Sequence, residues 1–204
     1  MSKIAIKGAD TGTGTFTIES PATNDDRTLT LPDEAGTVLT SASSIPVANL
    51  DSAVGITGAD IWRLTTTVTG TVDLTSLEQP DDSGVGVLGS SMTESSGVFT
   101  FPSTGIWLVL IQAFILVGSS DSSAQVIVDL STDGGSNFDP ITTAEGGSVD
   151  ADRTTTYAQA MVDVTNTANF KIKFRTSSLG AGSEIVGRTD ENRTSFAFIR
   201  LGDT

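Results

Sequence analysis

The 204-residue sequence contains no cysteine and no histidine. The absence of cysteine excludes disulfide bonds, thiolate metal sites and a cysteine nucleophile. The absence of histidine removes the commonest general base, the commonest metal ligand and every Ser-His or Cys-His catalytic pair. Catalysis would have to depend on carboxylates or lysine alone. We therefore expect a protein that is not an enzyme, and we predict no catalytic residue and no cofactor site.

Basic residues are also scarce, with eleven Lys and Arg against 25 Asp and Glu and a net charge of −14. A field of this sign repels nucleic acid, and the scattered basic residues do not form the patch that phosphate binding requires. We expect no nucleic-acid partner.

Long apolar segments are limited to one charge-free run, Ile106 to Val117, within SGVFTFPSTGIWLVLIQAFILV. A helix needs roughly twenty apolar residues to cross a bilayer, so this run is too short for a membrane span. Its content of Ile, Leu and Val, after Pro102 and Gly105, favours a strand. We expect no membrane insertion, and the polar N-terminus lacks the apolar region of a signal peptide.

The pattern of the remaining residues predicts an all-β protein. In FKIKF, for example, Phe170, Ile172 and Phe174 share one face and two lysines share the other. The segment STDGGSNF reads as a loop, because its glycines tolerate positive φ. Strands are predicted near 62–69, 85–88, 97–101, 105–117, 124–130, 156–164, 169–176 and 194–201. About eight strands separated by turns are typical of a jelly-roll sandwich, which we place at 61–204.

Two smaller regions precede this head. Residues 41–60 are rich in small residues and read as a linker. Residues 1–40 contain short alternating segments that predict a small N-terminal β element. So little apolar surface does not offset chain entropy, so this element should order by docking on copies of itself or on a larger assembly. Its candidate anchoring residues are Phe16, Ile18, Leu29, Leu31, Val38 and Leu39.

The run from 106 to 117 is apolar on both faces, as expected of a strand that is covered on both sides. One alternate set consists of Trp107, Val109, Ile111, Ala113, Ile115 and Val117. The other consists of Ile106, Leu108, Leu110, Phe114 and Leu116, with Gln112 among them. One set should face the sandwich core, and the other should meet a second copy of the chain, because soluble proteins avoid exposed apolar patches. A covering loop of the same chain is the alternative.

Three segments of the head resemble the complement globular-head and tumour-necrosis-factor superfamily. They are SGVFTFPSTGIWLVLIQAFI, YAQAMVDVTNTANFKIKF and the closing NRTSFAFIRLGDT, where Ala197 stands at a usual glycine position. The resemblance covers roughly residues 61–204. It implies a jelly-roll head that forms a homotrimer.

The front segment GTFTIESPATNDDRTLTLPDEAGTVLT resembles an element near the N-termini of bacteriophage tail-fibre and related virion proteins. This resemblance implies a tail or head fibre that is made in the host cytoplasm and displayed on the virion surface. Residues 1–40 would dock on capsid or tail proteins, and the head could contact a host-surface glycan. A capsid-decorating protein without a receptor role and a carboxylate-based glycan depolymerase remain the alternatives.

Several acidic residues are candidates for a site. Asp129, Asp133, Asn137 and Asp139 surround the STDGGSNF loop and offer oxygen ligands for calcium, although turn stabilisation explains them equally well. A glycosidase needs two carboxylates across a cleft. The pairs Asp81–Asp82, Asp150 with Asp152, and Asp190–Glu191 lie in predicted loops, where solvated charge explains them.

Three aromatic residues, Trp62, Trp107 and Tyr157, could stack on sugar rings. All three lie in strand patterns, which favours core packing over ligand binding.

Overall fold

The computed structural model of the protein describes residues 11–15, 17, 22–26, 28, 55–147 and 152–204. The chain divides into two units, Met1–Ser43 and Ser44–Thr204, and every strand of the described residues belongs to the second. The six candidate anchoring residues lie outside the described residues, so the anchoring role stays a prediction. They are Phe16, Ile18, Leu29, Leu31, Val38 and Leu39.

The described part of the chain is all-β, as predicted, and contains eleven strands and no helix. The strands are β1 (Gly58–Leu64), β2 (Leu77–Glu78), β3 (Thr93–Ser95), β4 (Val98–Thr100), β5 (Gly105–Leu116), β6 (Ser123–Ser131), β7 (Asp139–Gly147), β8 (Arg153–Val164), β9 (Lys171–Ser177), β10 (Glu184–Ile185) and β11 (Ser195–Gly202).

The strands form two antiparallel sheets with the hydrophobic core between them. In sheet A, the spatial order of the strands is β8, β5, β11, β1 and β2. β10 pairs with the last two residues of β5. Sheet B has the order β3, β4, β9, β6 and β7. β5 and β8 pair along their full length, from Gly105 opposite Val164 to Leu116 opposite Arg153. This long ladder fixes which β8 side chains share a face with those of β5.

Aromatic side chains from both sheets fill the core. Phe99 of β4 contacts rings from three other strands. Its ring centroid lies 5.2 Å from that of Trp62, 5.6 Å from that of Phe174 and 5.1 Å from that of Phe198. Phe174 of β9 stacks on Phe196 of β11 at 3.9 Å. Each fully buried ring stabilises the fold by about 2–3 kcal/mol through removal of apolar surface from water.

The alternation in FKIKF is confirmed. Ile172 and Phe174 are fully buried, Phe170 packs against the core, and the two lysines between them are not buried. The predicted loop at STDGGSNF is also confirmed, because Gly134 and Gly135 have φ values of 80° and 94°.

Other boundaries differ from the prediction. No strand forms over 85–88, where only Leu88 bridges to Ala59 and Val85 and Val87 remain exposed. Gly86 interrupts this segment, and Gly84 and Gly89, which flank it, have positive φ. β2, β3, β7 and β10 lie outside the predicted strands. β1 begins at Gly58, inside the predicted linker, and ends at Leu64 rather than at 69.

Candidate functional site

The apolar run of β5 is divided between two environments. The set formed by Trp107, Val109, Ile111, Ala113, Ile115 and Val117 is at most 1% exposed and faces the core. The alternate set from Ile106 to Leu116 is only half-buried and projects from the opposite side of sheet A. The core therefore uses only one of the two apolar faces of the strand, and the other face lies at the surface of the head.

Side chains from four strands continue this second set into one surface, which we call the outer face of sheet A. Register partners share a face in an antiparallel sheet, so the neighbours of β5 are read directly from the ladders. The outer face consists of Ile61, Ile106, Leu108, Leu110, Gln112, Phe114, Leu116, Tyr157, Gln159, Met161, Ala197 and Ile199. None of these side chains carries a charge, in a chain whose net charge is −14. The same ladders place four charged residues at the margins of this side of the sheet: Arg63 beside Ser195, Arg153 and Glu184 beside Leu116, and Asp163 beside Ile106.

Two large side chains of β8 stand out from this face. Tyr157 lies opposite Gln112 and is 68% exposed, and Met161 lies opposite Leu108 and is 73% exposed. The prediction that Tyr157 packs in the core is wrong, whereas Trp107 is buried and Trp62 packs against the core as predicted. No loop of the described ranges covers Tyr157 or Met161, so these two positions do not fit the alternative of a covering loop.

Gln112, the polar residue within the β5 set, is satisfied by its own chain. Its Nε2 donates to the backbone carbonyls of Asn192 and Arg193, at 2.8 and 3.2 Å. Beside it, a depression of about 480 Å³ lies between Leu110, Tyr157 and Ala197. The Gln112 amide is therefore satisfied within its own chain. The depression beside it could receive a complementary side chain of a neighbouring copy.

A buried arginine marks the β1 edge of the outer face. Arg63 has no exposed side-chain surface, and its guanidinium donates to Glu78 at 2.8 Å, Asp81 at 2.7 Å and Asp82 at 2.6 Å. Burial alone would lower the pKa of Arg63, but the hydrogen bonds and charges of Glu78 and Asp82 outweigh it and raise the pKa above its ordinary value. The guanidinium thus ties the segment at 78–82 to β1.

The predicted calcium residues are used within the protein. Asp133 accepts hydrogen bonds from the backbone N–H and the side-chain amide of Asn137, at 2.9 and 2.6 Å, and from the Ser131 hydroxyl at 2.7 Å. The backbone bond from Asn137 is the largest of the causes that lower the pKa of Asp133 to about 2. These contacts are those of a turn-stabilising carboxylate.

The other two candidates of this group do not join Asp133. Asp129 is buried and pairs with Arg175 at 2.7 Å, whereas Asp139 is exposed at the start of β7. Among the described residues, no cluster of three or more acidic side chains is arranged to hold a metal ion.

Three of the six acidic residues considered for a glycosidase contact arginines. Asp81 and Asp82 both bind Arg63. Glu191 pairs with Arg193 and lies 3.8 Å from Arg188. Asp152 is exposed, and Asp150 lies outside the described residues.

The comparisons with known proteins agree with the fold. The chain is similar to the structure of Eiger TNF from S. frugiperda, with a TM-score of 0.56 and 13% identity over 74% of this chain and 96% of that one. It is also similar to murine APRIL at pH 8.5, with a TM-score of 0.52 and 10% identity over 71% of this chain and 98% of that one. The expected tumour-necrosis-factor-like jelly roll is therefore confirmed as the fold of the head.

No protein-family model and no curated protein matches the chain. The virion assignment accordingly stays a prediction. Within the described ranges, no helix is long and apolar enough to cross a membrane.

Proposed function

We propose that this chain is a non-enzymatic bacteriophage structural protein, a homotrimeric tail or head fibre that displays a jelly-roll head on the virion surface. Its N-terminal element docks on a capsid or tail protein, and its head is available for adhesion to the host. The single observation that carries the proposal is the uncharged, apolar outer face of sheet A, with Tyr157 and Met161 projecting from it.

Exposure of this apolar face to water is unfavourable, which favours self-association. Leaving Met161, Tyr157 and the half-buried leucines of β5 in water forgoes about 25 cal/mol for each Å² of apolar surface that a neighbour could cover. Soluble chains rarely keep such a patch exposed. Since the chain carries a net charge of −14, a face whose centre is uncharged is where copies of this chain can approach with the least mutual repulsion.

Symmetry then limits the assembly. A closed cyclic arrangement covers every copy of the face, whereas an open one leaves a face exposed at each end. The resemblance of residues 61–204 to the complement and tumour-necrosis-factor superfamily selects three copies. Three heads on one axis also provide avidity for a repetitive surface ligand.

The virion part of the proposal is supported by the front segment at 14–40, with its resemblance to phage tail-fibre elements. The non-enzymatic part is supported by the absence of histidine and cysteine and by the arginine contacts of the loop acids.

Purified particles of the phage that encodes the chain test this role. Gold-labelled antibody against the head is expected at the ends of fibres, outside the capsid shell. Label spread regularly over the shell would replace the fibre with the decorating alternative, and the absence of label from particles would overturn the virion assignment. Release of sugar fragments from host polysaccharide by the purified chain would overturn the non-enzymatic assignment.

A further inference from the structure

A second hollow, of about 810 Å³, lies next to the Leu116 end of the outer face, where β8, β10 and the loop that follows β10 meet. Its lining is polar and contains Arg153, Arg188 and Arg193. The chain has only eleven Lys and Arg in all, so three in one hollow is a marked concentration.

Arg153 and Arg188 are less engaged by acidic side chains than Arg193 is. Within the described ranges, Arg153 has no ion-pair partner. The Nε atom of Arg188 lies 3.8 Å from Oε1 of Glu191. Arg193 binds the same Glu191 and lies over the Phe114 ring at 4.9 Å. Most of the remaining basic side chains of the head have short acidic contacts: Arg63 with Glu78, Asp81 and Asp82, Lys173 with Asp73, Arg175 with Asp129, and Arg200 with Asp203.

The rest of the lining is suited to hydroxyl groups. Thr67 and Thr189 present side-chain hydroxyls, and Glu184 and Asp190 present carboxylates. Hydroxyls both donate and accept, and ionised carboxylates accept only, so together with arginine they can satisfy both sides of a sugar hydroxyl. A hollow of this size falls in the usual range of small-ligand sites.

From these features we infer that the hollow binds a saccharide bearing a carboxylate group. Arg153 and Arg188 hold the carboxylate, because the planar guanidinium donates two parallel hydrogen bonds to it. Thr189 and the two acids contact the hydroxyls of the ring. This ligand class specifies what an adhesive head would bind on the host. The biological setting of the inference rests on the proposed function.

Titration calorimetry on the full chain at low salt tests the inference with two matched probes. Trigalacturonic acid is expected to bind, and its fully methyl-esterified form, which has the same skeleton without charge, is expected to bind at least about tenfold more weakly. Equal binding of the two forms, or no binding of the acid, would overturn the inference. Acetate as tight as the trisaccharide would overturn the saccharide part.

Two variants locate the site. Arg153→Gln and Arg188→Gln each remove a guanidinium that the inference assigns to the carboxylate, and each should weaken binding of the acid about tenfold. Lys173→Gln removes one positive charge from sheet B and should leave binding unchanged. A loss as large in Lys173→Gln would show that only net charge matters, which contradicts the assigned site.

The mass of each sample, measured by light scattering, separates this inference from the proposed trimer. A trimer that does not bind the acid overturns only the saccharide site. A monomer that binds it overturns the trimer and leaves the site in place. Folding of each variant is checked by its near-ultraviolet circular dichroism.

Discussion

Leu108 of β5 and Met161 of β8 lie directly opposite each other in sheet A, and both side chains project from the outer face. Leu108 is half-buried by its neighbours, whereas Met161 is 73% exposed. Among the described residues, none covers the outward side of Met161. A neighbouring copy supplies that cover in the proposed assembly.

Met161→Glu should dissociate the assembly. The carboxylate would enter an interface without a basic partner, and burying an unpaired charge is strongly unfavourable. The fold itself should lose less than about 0.5 kcal/mol, because the side chain is exposed in the single chain. Ile141→Glu, at an exposed apolar position on β7 of sheet B, is the matched control and should remain assembled. Dissociation of both variants would point to general charge repulsion rather than to this face.

The tyrosine at position 157 is the only one in the chain, so its chemistry reports on the outer face without ambiguity. Assembly should exclude its ring from solvent and slow nitration by tetranitromethane at least about tenfold relative to Met161→Glu, because interface cores exclude water. Nitration at equal rates in the two proteins would show that Tyr157 stays exposed in the assembly.

Much of the head could be predicted from local pattern. β9 and β11 place Ile172, Phe174, Phe196 and Phe198 on one face with polar or small residues between them, and all four are fully buried. These strands are predictable because their period of two matches a half-buried strand.

The composition of β8 explains why its sequence does not predict that Tyr157 faces outward. Its core side is built from Val162 and Val164 and, farther along, from the small residues Ala158 and Ala160. The largest side chains of the strand therefore face outward. Residue size alone suggests that Tyr157 and Met161 face the core and that the alanines face outward. A shift of one residue in the assignment moves every side chain to the other face.

β7 could not be predicted because it carries few apolar residues. Ala144 is its one fully buried hydrophobic side chain, and a Cβ atom added at Gly146 would lie 2.5 Å from the Thr154 methyl group. The strand is defined by its ladder with β6, from Ser123 opposite Gly147 to Leu130 opposite Asp139. Such long-range pairing leaves little trace in the local sequence.

Substitutions of the three acids around Arg63 should have strongly non-additive effects on the free energy of unfolding. Asp81→Asn alone should cost less than about 0.5 kcal/mol, because Asp81 is largely exposed and two carboxylates remain. The triple variant Glu78→Gln, Asp81→Asn and Asp82→Asn leaves the covered guanidinium unpaired. It should lower the free energy of unfolding by about 2 kcal/mol, after allowance for screening by water. Urea unfolding of the two variants checks both values, and a triple variant as stable as the unmodified chain would contradict the role of the clamp.

Asp133 gives the loop at 131–137 a defined pH dependence. Its folded pKa of about 2 lies below the ordinary 3.8, so the carboxylate stabilises the folded loop fully above pH 3.8. This contribution is lost as the pH falls through the folded pKa. A carboxyl titration by NMR should give a midpoint near 2 for Asp133, and Asn137→Ala should raise it, since it removes the side-chain donor. A midpoint near 3.8 in the unmodified chain would contradict the observed hydrogen bonds.

The mass of the full chain in solution, measured by light scattering at moderate salt, tests the central claim most directly. We expect three times the 21.0 kDa of one chain, and a fall to the mass of one chain in Met161→Glu. A mass of 21.0 kDa for the unmodified chain, or a trimer that Met161→Glu leaves intact, would contradict self-association through the outer face of sheet A.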